Sequence, residues 1–279
     1  MSNMWKRIIV GIIGIPIVVG LVYLGGPAFS IFIAVISVLA AREYLQLTDG
    51  KSADADRTTS FVWLVALQAT MFGYTASSGL SALTWIGGFV AVLFTGVLLV
   101  HAVELFRNKA NAVLNTSVTV SGTLYVGLGL GSLIVLRGLE DGLVVTIATL
   151  AAVWACDSAA YFVGLAIGKH KLFPRVSPKK SWEGAVGGFV ASIGAFAAIV
   201  VTWSDRFSLG HALAIGVVIG IVGQIGDLAE SLLKRDAAIK DSSTIIPGHG
   251  GVLDRMDSLL FVGPAVWVYH FLAFVVFVD

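Results

Sequence analysis

Nine long apolar runs dominate this chain and limit what it can fold into. Each is close to the roughly 20 residues that a helix needs to cross the hydrocarbon core of a bilayer. In lipid the backbone must bond within its own segment, and the runs lack the ten-residue alternation of a membrane barrel. The sequence predicts an all-α, polytopic membrane helical bundle of about nine transmembrane helices, at roughly 8–24, 28–47, 61–77, 82–102, 118–137, 143–168, 184–203, 209–233 and 259–278.

The composition excludes most other classes of protein. The chain is 57% hydrophobic and only 13% charged, whereas a soluble domain has about 25% charged residues. The single cysteine, Cys156, excludes an intramolecular disulfide and a cysteine-based zinc cluster. We expect the first run to be a retained helix, because it is long for a signal peptide and no cleavage site follows it.

The distribution of Lys and Arg predicts the orientation. With the N-terminus in the cytoplasm, all of the 18 Lys and Arg residues except Arg137 and Arg206 fall in the inner segments. So strong a bias favours this orientation, with the C-terminus at Asp279 outside. The two loops richest in these residues, after the sixth and eighth runs, then share the cytoplasmic face.

A charged segment, residues 226–257, separates the last two apolar runs. Charges between membrane-length runs are a functional-site hypothesis by default. Asp227, Glu230, Ser231 and Lys234 are spaced to share one helix face. The alternative for this polar stripe is an ordinary interfacial helix end.

A glycine-rich stretch follows in the same segment, Ile246 to Gly251, with His249 inside it. Glycines allow backbone N–H groups to approach an anion. Asp254 and Asp257 come next, and they could simply cap the last helix. Alternatively, Asp254 shares a Mg²⁺ with Asp227, because Mg²⁺ uses one or two carboxylates plus substrate phosphates.

A third polar group lies around the end of the sixth run. Asp157 is inside that run, where a carboxylate costs roughly 2.5–3.5 kcal/mol on insertion scales. Lys179 and Lys180 follow on a Ser-Pro loop, where they either bind phosphate or only set the topology. Ser181 is predicted to cap the next helix, with Glu183 in its first turn. Together the three groups indicate a membrane enzyme or transporter that handles phosphates near the cytoplasmic face.

The segment from Ser231 to Asp257 closely resembles the signature of the phosphatidate cytidylyltransferases, also called CDP-diacylglycerol synthases. The matching positions are Ser231, Lys234, Arg235, Lys240, Asp241, Ser243, Pro247, His249, Gly250, Gly251, Asp254, Arg255 and Asp257. Asp157 to Gly164 and Ser177 to Gly184 look like further blocks of the family. The earlier helices match only as generic spans, so we expect residues 1–140 to form a scaffold and 141–279 a catalytic region.

The resemblance implies that CTP and phosphatidate react to give CDP-diacylglycerol and diphosphate, in the cytoplasmic membrane with the site facing the cytoplasm. It implies Mg²⁺ on Asp227 and Asp254, a possible second ion such as K⁺, a frequent homodimer, and no nucleic-acid partner. The expected catalytic residues are Lys234, Arg235, Lys240, Asp241, Arg255 and Asp257. The expected substrate-binding residues are Asp157, Lys179, Lys180, Ser231, His249, Gly250 and Gly251.

Two other functions remain open at this point. A membrane CDP-alcohol phosphotransferase also handles CDP-lipids, but its D-G-x-x-A-R motif is absent from this sequence. A phosphate-ester transporter is expected to show two related halves with broken helices. Here the charge is concentrated in the C-terminal half.

Overall fold

The structure, a computed structural model, describes residues 3–49, 51–76, 81–246, 248 and 250–276, and the side chains among them from residue 10 to 274 except that of residue 82. Its helices are α1 (Asn3–Leu24), α2 (Gly26–Gln46), α3 (Arg57–Ala76), α4 (Ala82–Arg107), α5 (Ala112–Gly138), α6 (Gly142–Ile167), α7 (Trp182–Trp203), α8 (Leu209–Asp236) and α9 (Leu253–Phe271), followed by a π-helical turn, Leu272–Val276. A short antiparallel hairpin of β1 (Lys171–Phe173) and β2 (Ser177–Ser181) joins α6 to α7.

The prediction of an all-α polytopic membrane protein is confirmed. Seven of the described helices, α2 and α4 to α9, are long and apolar enough to cross a membrane, and α1 contributes a shorter apolar stretch, Val10–Leu24. Several helices extend past their apolar runs: α5 begins at Ala112 and α9 at Leu253, about six residues before the predicted starts. Helical hydrogen bonding continues through polar residues at the ends, whereas hydropathy marks only the part inside the lipid.

The chain forms two compact units. Unit 1 contains Met1–Gly138 and Ala237–Met256, and unit 2 contains Leu139–Asp236 and Asp257–Asp279. The loop after α8, which carries the glycine-rich stretch, therefore belongs with the N-terminal helices.

In unit 1, α5 packs closely against α3. Gly127 of α5 lies against Leu64, and Gly131 lies against Met71, with no room for a larger side chain at Gly131. The buried Gln68 donates hydrogen bonds to Ser37 Oγ at 2.8 Å and to the Gly127 carbonyl at 3.3 Å. Glycine permits this close approach of helices, as in other membrane bundles.

In unit 2, α7 packs between α6 and α8 through glycines on both sides. A Cβ atom on Gly188 would meet the Cys156 carbonyl of α6 at 2.7 Å, and one on Gly216 would meet the Ile193 backbone at 2.6 Å. The sequence therefore uses these small residues for helix packing. The tight packing brings the hairpin and the C-terminal end of α8 to the same end of unit 2.

Candidate functional site

The hairpin of unit 2 is fixed to the start of α7. Ser181 Oγ accepts a hydrogen bond from the Gly184 amide at 3.2 Å, so the predicted N-cap is confirmed. Glu183 accepts bonds from the amides of Lys169 and His170, and pairs with His170 Nδ1 at 2.6 Å. Both ends of the hairpin are thereby held, which fixes the position of Lys180 on β2.

Lys180 reaches across to α8 and pairs with Asp227. Its Nζ lies 2.5 Å from Asp227 Oδ2, and both side chains are about one quarter exposed. Ser231, one turn further along α8, donates weakly to Asp227 Oδ1 at 3.4 Å. A lysine predicted to bind phosphate and an aspartate predicted to bind metal are therefore direct partners, and both remain accessible.

A second ion pair lies on the same helix, deeper in the protein. Lys234 Nζ lies 2.6 Å from Glu230 Oε2, and Glu230 is fully buried. The pair is spaced i,i+4, so α8 alone can form it. All members of the polar stripe predicted on α8 lie on this one helix, and its two carboxylates pair with lysines.

Asp257 of unit 2 lies within electrostatic range of three other carboxylates. The charges of Asp227, Glu230 and Asp157 all act on the Asp257 carboxylate. Asp157, from α6, is exposed, and Asp257 is partly buried on α9. These residues come from three helices, and the fold brings them together as an acidic cluster with lysine partners.

The chemistry of this cluster fits a hard divalent cation. Carboxylate oxygens are the ligands that Mg²⁺ prefers, and it usually keeps waters or substrate phosphates in its shell. Among the described residues, no group of three or more His, Cys, Asp or Glu side chains is arranged to hold an ion alone. Water and substrate oxygens would therefore have to complete the shell of an ion bound here.

The remaining predicted residues are mostly at the surface. Arg235 donates from Nε to the Val176 carbonyl at 3.3 Å, which ties the end of α8 to the hairpin turn. The other cationic and acidic candidates are exposed in the described structure: Lys179, Lys240, Asp241 and Arg255. His249 lies outside the described residues.

In unit 1, Asp254 closes the glycine-rich loop. Its Oδ2 accepts hydrogen bonds from the Ser242 amide at 2.9 Å, from Ser242 Oγ at 3.0 Å and from the Gly251 amide at 2.7 Å. Gly250 adopts a φ of +81°, a backbone form that favours glycine. Asp254, the predicted metal ligand, therefore orders the loop, and its side chain is only 5% exposed. Its role toward a metal remains a prediction.

Sequence reasoning missed one residue that contacts this loop, Glu43 of α2. It is fully buried and accepts four hydrogen bonds, all from the segment between Ser242 and Leu253. The sequence did contain a signal for it, since Glu43 lies inside the apolar run 28–47, and a carboxylate at membrane depth needs a partner. The sequence pattern did not indicate which distant segment supplies that partner.

Comparison with known proteins shows the family of this chain. The model of the Cytidylyltransferase family matches residues 5–273. A protein of Brucella suis named phosphatidate cytidylyltransferase is 35% identical over 272 residues, covering 96% of this chain and 94% of the relative. Proteins of the same name from Synechocystis and Bacillus subtilis are 34% and 32% identical, covering 95% and 98% of this chain and 95% and 99% of those relatives. This chain therefore belongs to the cytidylyltransferase family.

Proposed function

We propose that this protein transfers the cytidylyl group of CTP to phosphatidate, giving CDP-diacylglycerol and diphosphate for phospholipid synthesis. The observation that carries the proposal is the set of lysine-paired carboxylates on α8, Asp227 with Lys180 and Glu230 with Lys234, in a chain of this family. Such a site offers both cations for phosphate groups and carboxylates for a metal.

The reaction needs charge neutralisation more than proton transfer. A phosphatidate oxygen forms a bond to the α-phosphorus of CTP. The bond from that phosphorus to the oxygen that bridges the α- and β-phosphates breaks, and diphosphate leaves with the electron pair. The attacking phosphate monoester has a second pKa near ~6, so it is largely dianionic at neutral pH and needs no strong base. The obstacle is the repulsion between two polyanions, which cations must offset.

The chain supplies several of these cations from fixed positions. Lys180 is held by the hairpin, so little reorganisation is needed when a phosphate replaces its partly exposed partner Asp227, and Lys234 is held on α8 beside the buried Glu230. Arg235, Lys240, Arg255 and Lys179 are proposed to bind the remaining phosphate oxygens. Gly250 would offer its backbone N–H group, with Ser231 and His249 as further donors, whereas the Gly251 N–H is already bonded to Asp254.

Asp227 and Asp254 are the proposed Mg²⁺ ligands, with Asp157, Asp241 and Asp257 as the next candidates and K⁺ as a possible second ion. When bound, Mg²⁺ would neutralise negative charge on the reacting phosphates. The donor chemistry of the acidic cluster supports this assignment for Asp227. Removing divalent ions with excess EDTA should abolish turnover, and unchanged turnover in EDTA would contradict the metal requirement.

We further propose that the site faces the cytoplasm in the inner membrane and that the protein is a homodimer. The clustering of Lys and Arg supports the orientation. Single cysteines in a Cys156→Ala background would test it: an impermeant reagent added outside intact cells should not label position 240. The oligomeric state can be measured by light scattering in detergent.

The decisive test of the activity uses purified protein in detergent with CTP, phosphatidate and Mg²⁺. We expect equal amounts of CDP-diacylglycerol and diphosphate, with neither product when CTP or phosphatidate is omitted. Consumption of CDP-diacylglycerol with an alcohol would instead support a CDP-alcohol phosphotransferase. Movement of a phosphate ester into vesicles without any covalent change would support a transporter.

A further inference from the structure

We infer that Glu43 of α2 is a positioning residue for the proposed reaction. It holds the backbone of the glycine-rich loop in the conformation that the reaction requires. This inference rests on the proposed function and adds to it a residue from the N-terminal helices. Glu43 and the loop both belong to unit 1, so the contact lies within one compact body.

The geometry of Glu43 is that of a carboxylate which organises a loop. Its Oε2 accepts from Ser242 Oγ at 2.8 Å and from the Leu253 amide at 2.8 Å. Its Oε1 accepts from Ser243 Oγ at 2.6 Å and from the Val252 amide at 3.1 Å. One side chain therefore joins the beginning of the loop to the first turn of α9.

The backbone of Gly251 lies close against this carboxylate. A Cβ atom on Gly251 would collide with both Ser242 Oγ and Glu43 Oε2. Asp254 binds the loop from within, through Ser242 and Gly251, so the two carboxylates share Ser242. Each backbone N–H that Glu43 accepts lies at the start of α9, where an anion is favourable because the helix leaves N–H groups unpaired.

The four hydrogen bonds of Glu43 are made to the loop and to the first turn of α9, so its effect on the reaction would be transmitted through the loop. The loop carries Gly250 and Gly251 of the signature and leads into Asp254 and Arg255. A misplacement of about 1 Å at a reacting centre costs on the order of 100-fold in rate. A carboxylate that fixes the loop backbone would therefore alter catalysis without touching a substrate.

The Glu43→Gln variant is a sharp test, because it keeps the shape of the side chain and replaces one oxygen by an NH₂ group. In either orientation, this NH₂ faces one serine hydroxyl and one backbone N–H. The hydroxyl can rotate and accept a bond, but the backbone N–H cannot. The variant therefore leaves one amide at the start of α9 without its acceptor.

Glu104→Gln is the matched control. Glu104 is also in unit 1 and 5% exposed, and it binds Asn115 Nδ2 at 2.5 Å and Arg107 at 2.5 Å instead of the loop. A general loss of packing or stability would affect both variants. Only an effect through the loop distinguishes Glu43 from Glu104.

Two measurements on the full-length protein in detergent complete the experiment. For Glu43→Gln we expect faster hydrogen–deuterium exchange in residues 242–254 and a fall of kcat/KM for CTP of about 10- to 100-fold per folded protein. For Glu104→Gln we expect the exchange of this segment and kcat/KM to stay within about twofold of the original protein, since its bonds lie elsewhere.

The inference is overturned by unchanged exchange in Glu43→Gln, by kcat/KM within twofold of the original, or by an equal loss of kcat/KM in Glu104→Gln. If Glu43→Gln does not fold, Ser243→Ala decides, since it removes one bond to Glu43 Oε1. It should accelerate exchange in the loop and lower kcat/KM, and no change in either overturns the inference. An original protein that makes no CDP-diacylglycerol contradicts the proposed function instead, and the exchange comparison then decides the loop role alone.

Discussion

Two carboxylates of each unit are held in different ways. In unit 1, Glu43 accepts hydrogen bonds from hydroxyl and backbone N–H donors, and so does Asp254 through its Oδ2. In unit 2, Asp227 and Glu230 pair with lysines. Backbone donors cannot leave without unfolding the loop, whereas a lysine can turn to a phosphate. The first arrangement preserves shape, and the second allows exchange of partners with a substrate.

The largest effect is expected from Asp227→Asn, which keeps the volume and removes the charge. We expect turnover to fall by orders of magnitude, because the stabilisation that a metal gives is worth several kcal/mol. Asp254→Asn should reduce turnover similarly, and the double variant should be little worse than either, as for groups that act together. CDP-diacylglycerol formation at saturating CTP measures this.

Loop exchange sharpens the comparison between these two aspartates. Asp254→Asn should accelerate hydrogen exchange in residues 242–254, whereas Asp227→Asn should not. Asp236→Asn, at the exposed end of α8, is the control and should be mild in both assays. Near-normal turnover of folded Asp227→Asn with an unchanged Mg²⁺ dependence would contradict the metal assignment.

The next effect distinguishes Lys180 from Lys234 in unit 2, since the two differ in burial. Lys234→Met leaves the fully buried Glu230 without its lysine, and breaking a buried pair typically costs about 3–5 kcal/mol of stability. Lys180→Met breaks a partly exposed pair, which is worth roughly 0–1 kcal/mol, but we expect it to raise KM for CTP. Thermal unfolding in detergent and CTP kinetics measure the two effects. Equal losses of stability would contradict the distinction.

A smaller effect is expected in unit 1 from Gly251→Ala. The added methyl group has no space between Ser242 and Glu43, and overpacking typically costs about 1–3 kcal/mol. Gly73→Ala on α3 is the control, because nothing lies within 4 Å of the added atom. Unfolding temperatures of both variants provide the measurement, and an unchanged value for Gly251→Ala would show that the loop repacks easily.

The smallest effect concerns an exposed ion pair of unit 1, outside the membrane spans. The hydrogen bond from Lys109 lowers the pKa of Asp54 below its ordinary 3.8, and the charges of Lys109 and Arg107 lower it further. Partial desolvation of the carboxylate opposes this shift. A lowered pKa adds stability above pH 3.8 that disappears as the pH falls through the folded-state pKa. Asp54→Asn should therefore lower the unfolding temperature slightly at neutral pH, and a difference that persists below the folded-state pKa would contradict this origin.

The sequence by itself determined the membrane class and most of the helices, because hydropathy and run length are local properties. It also located the polar stripe of α8 and the cap at Ser181, since helical spacing and N-capping act over three or four residues. The boundaries were less well determined, as the early start of α9 at Leu253 shows. There, hydrogen-bonded loop contacts extend the helix beyond its apolar run.

Only the tertiary structure decided which distant groups meet. Glu43 and Ser242 are 199 residues apart, and Lys180 and Asp227 are 47 apart. A buried carboxylate needs a hydrogen-bond donor or a cation, but the sequence does not specify which segment brings it. Helix packing through glycines makes that choice, because close approach of the backbones sets which side chains face each other. The same sequence feature, an acidic residue near a helix end, therefore has two outcomes. Glu43 binds and orders a loop in unit 1, and Glu230 forms an ion pair in unit 2.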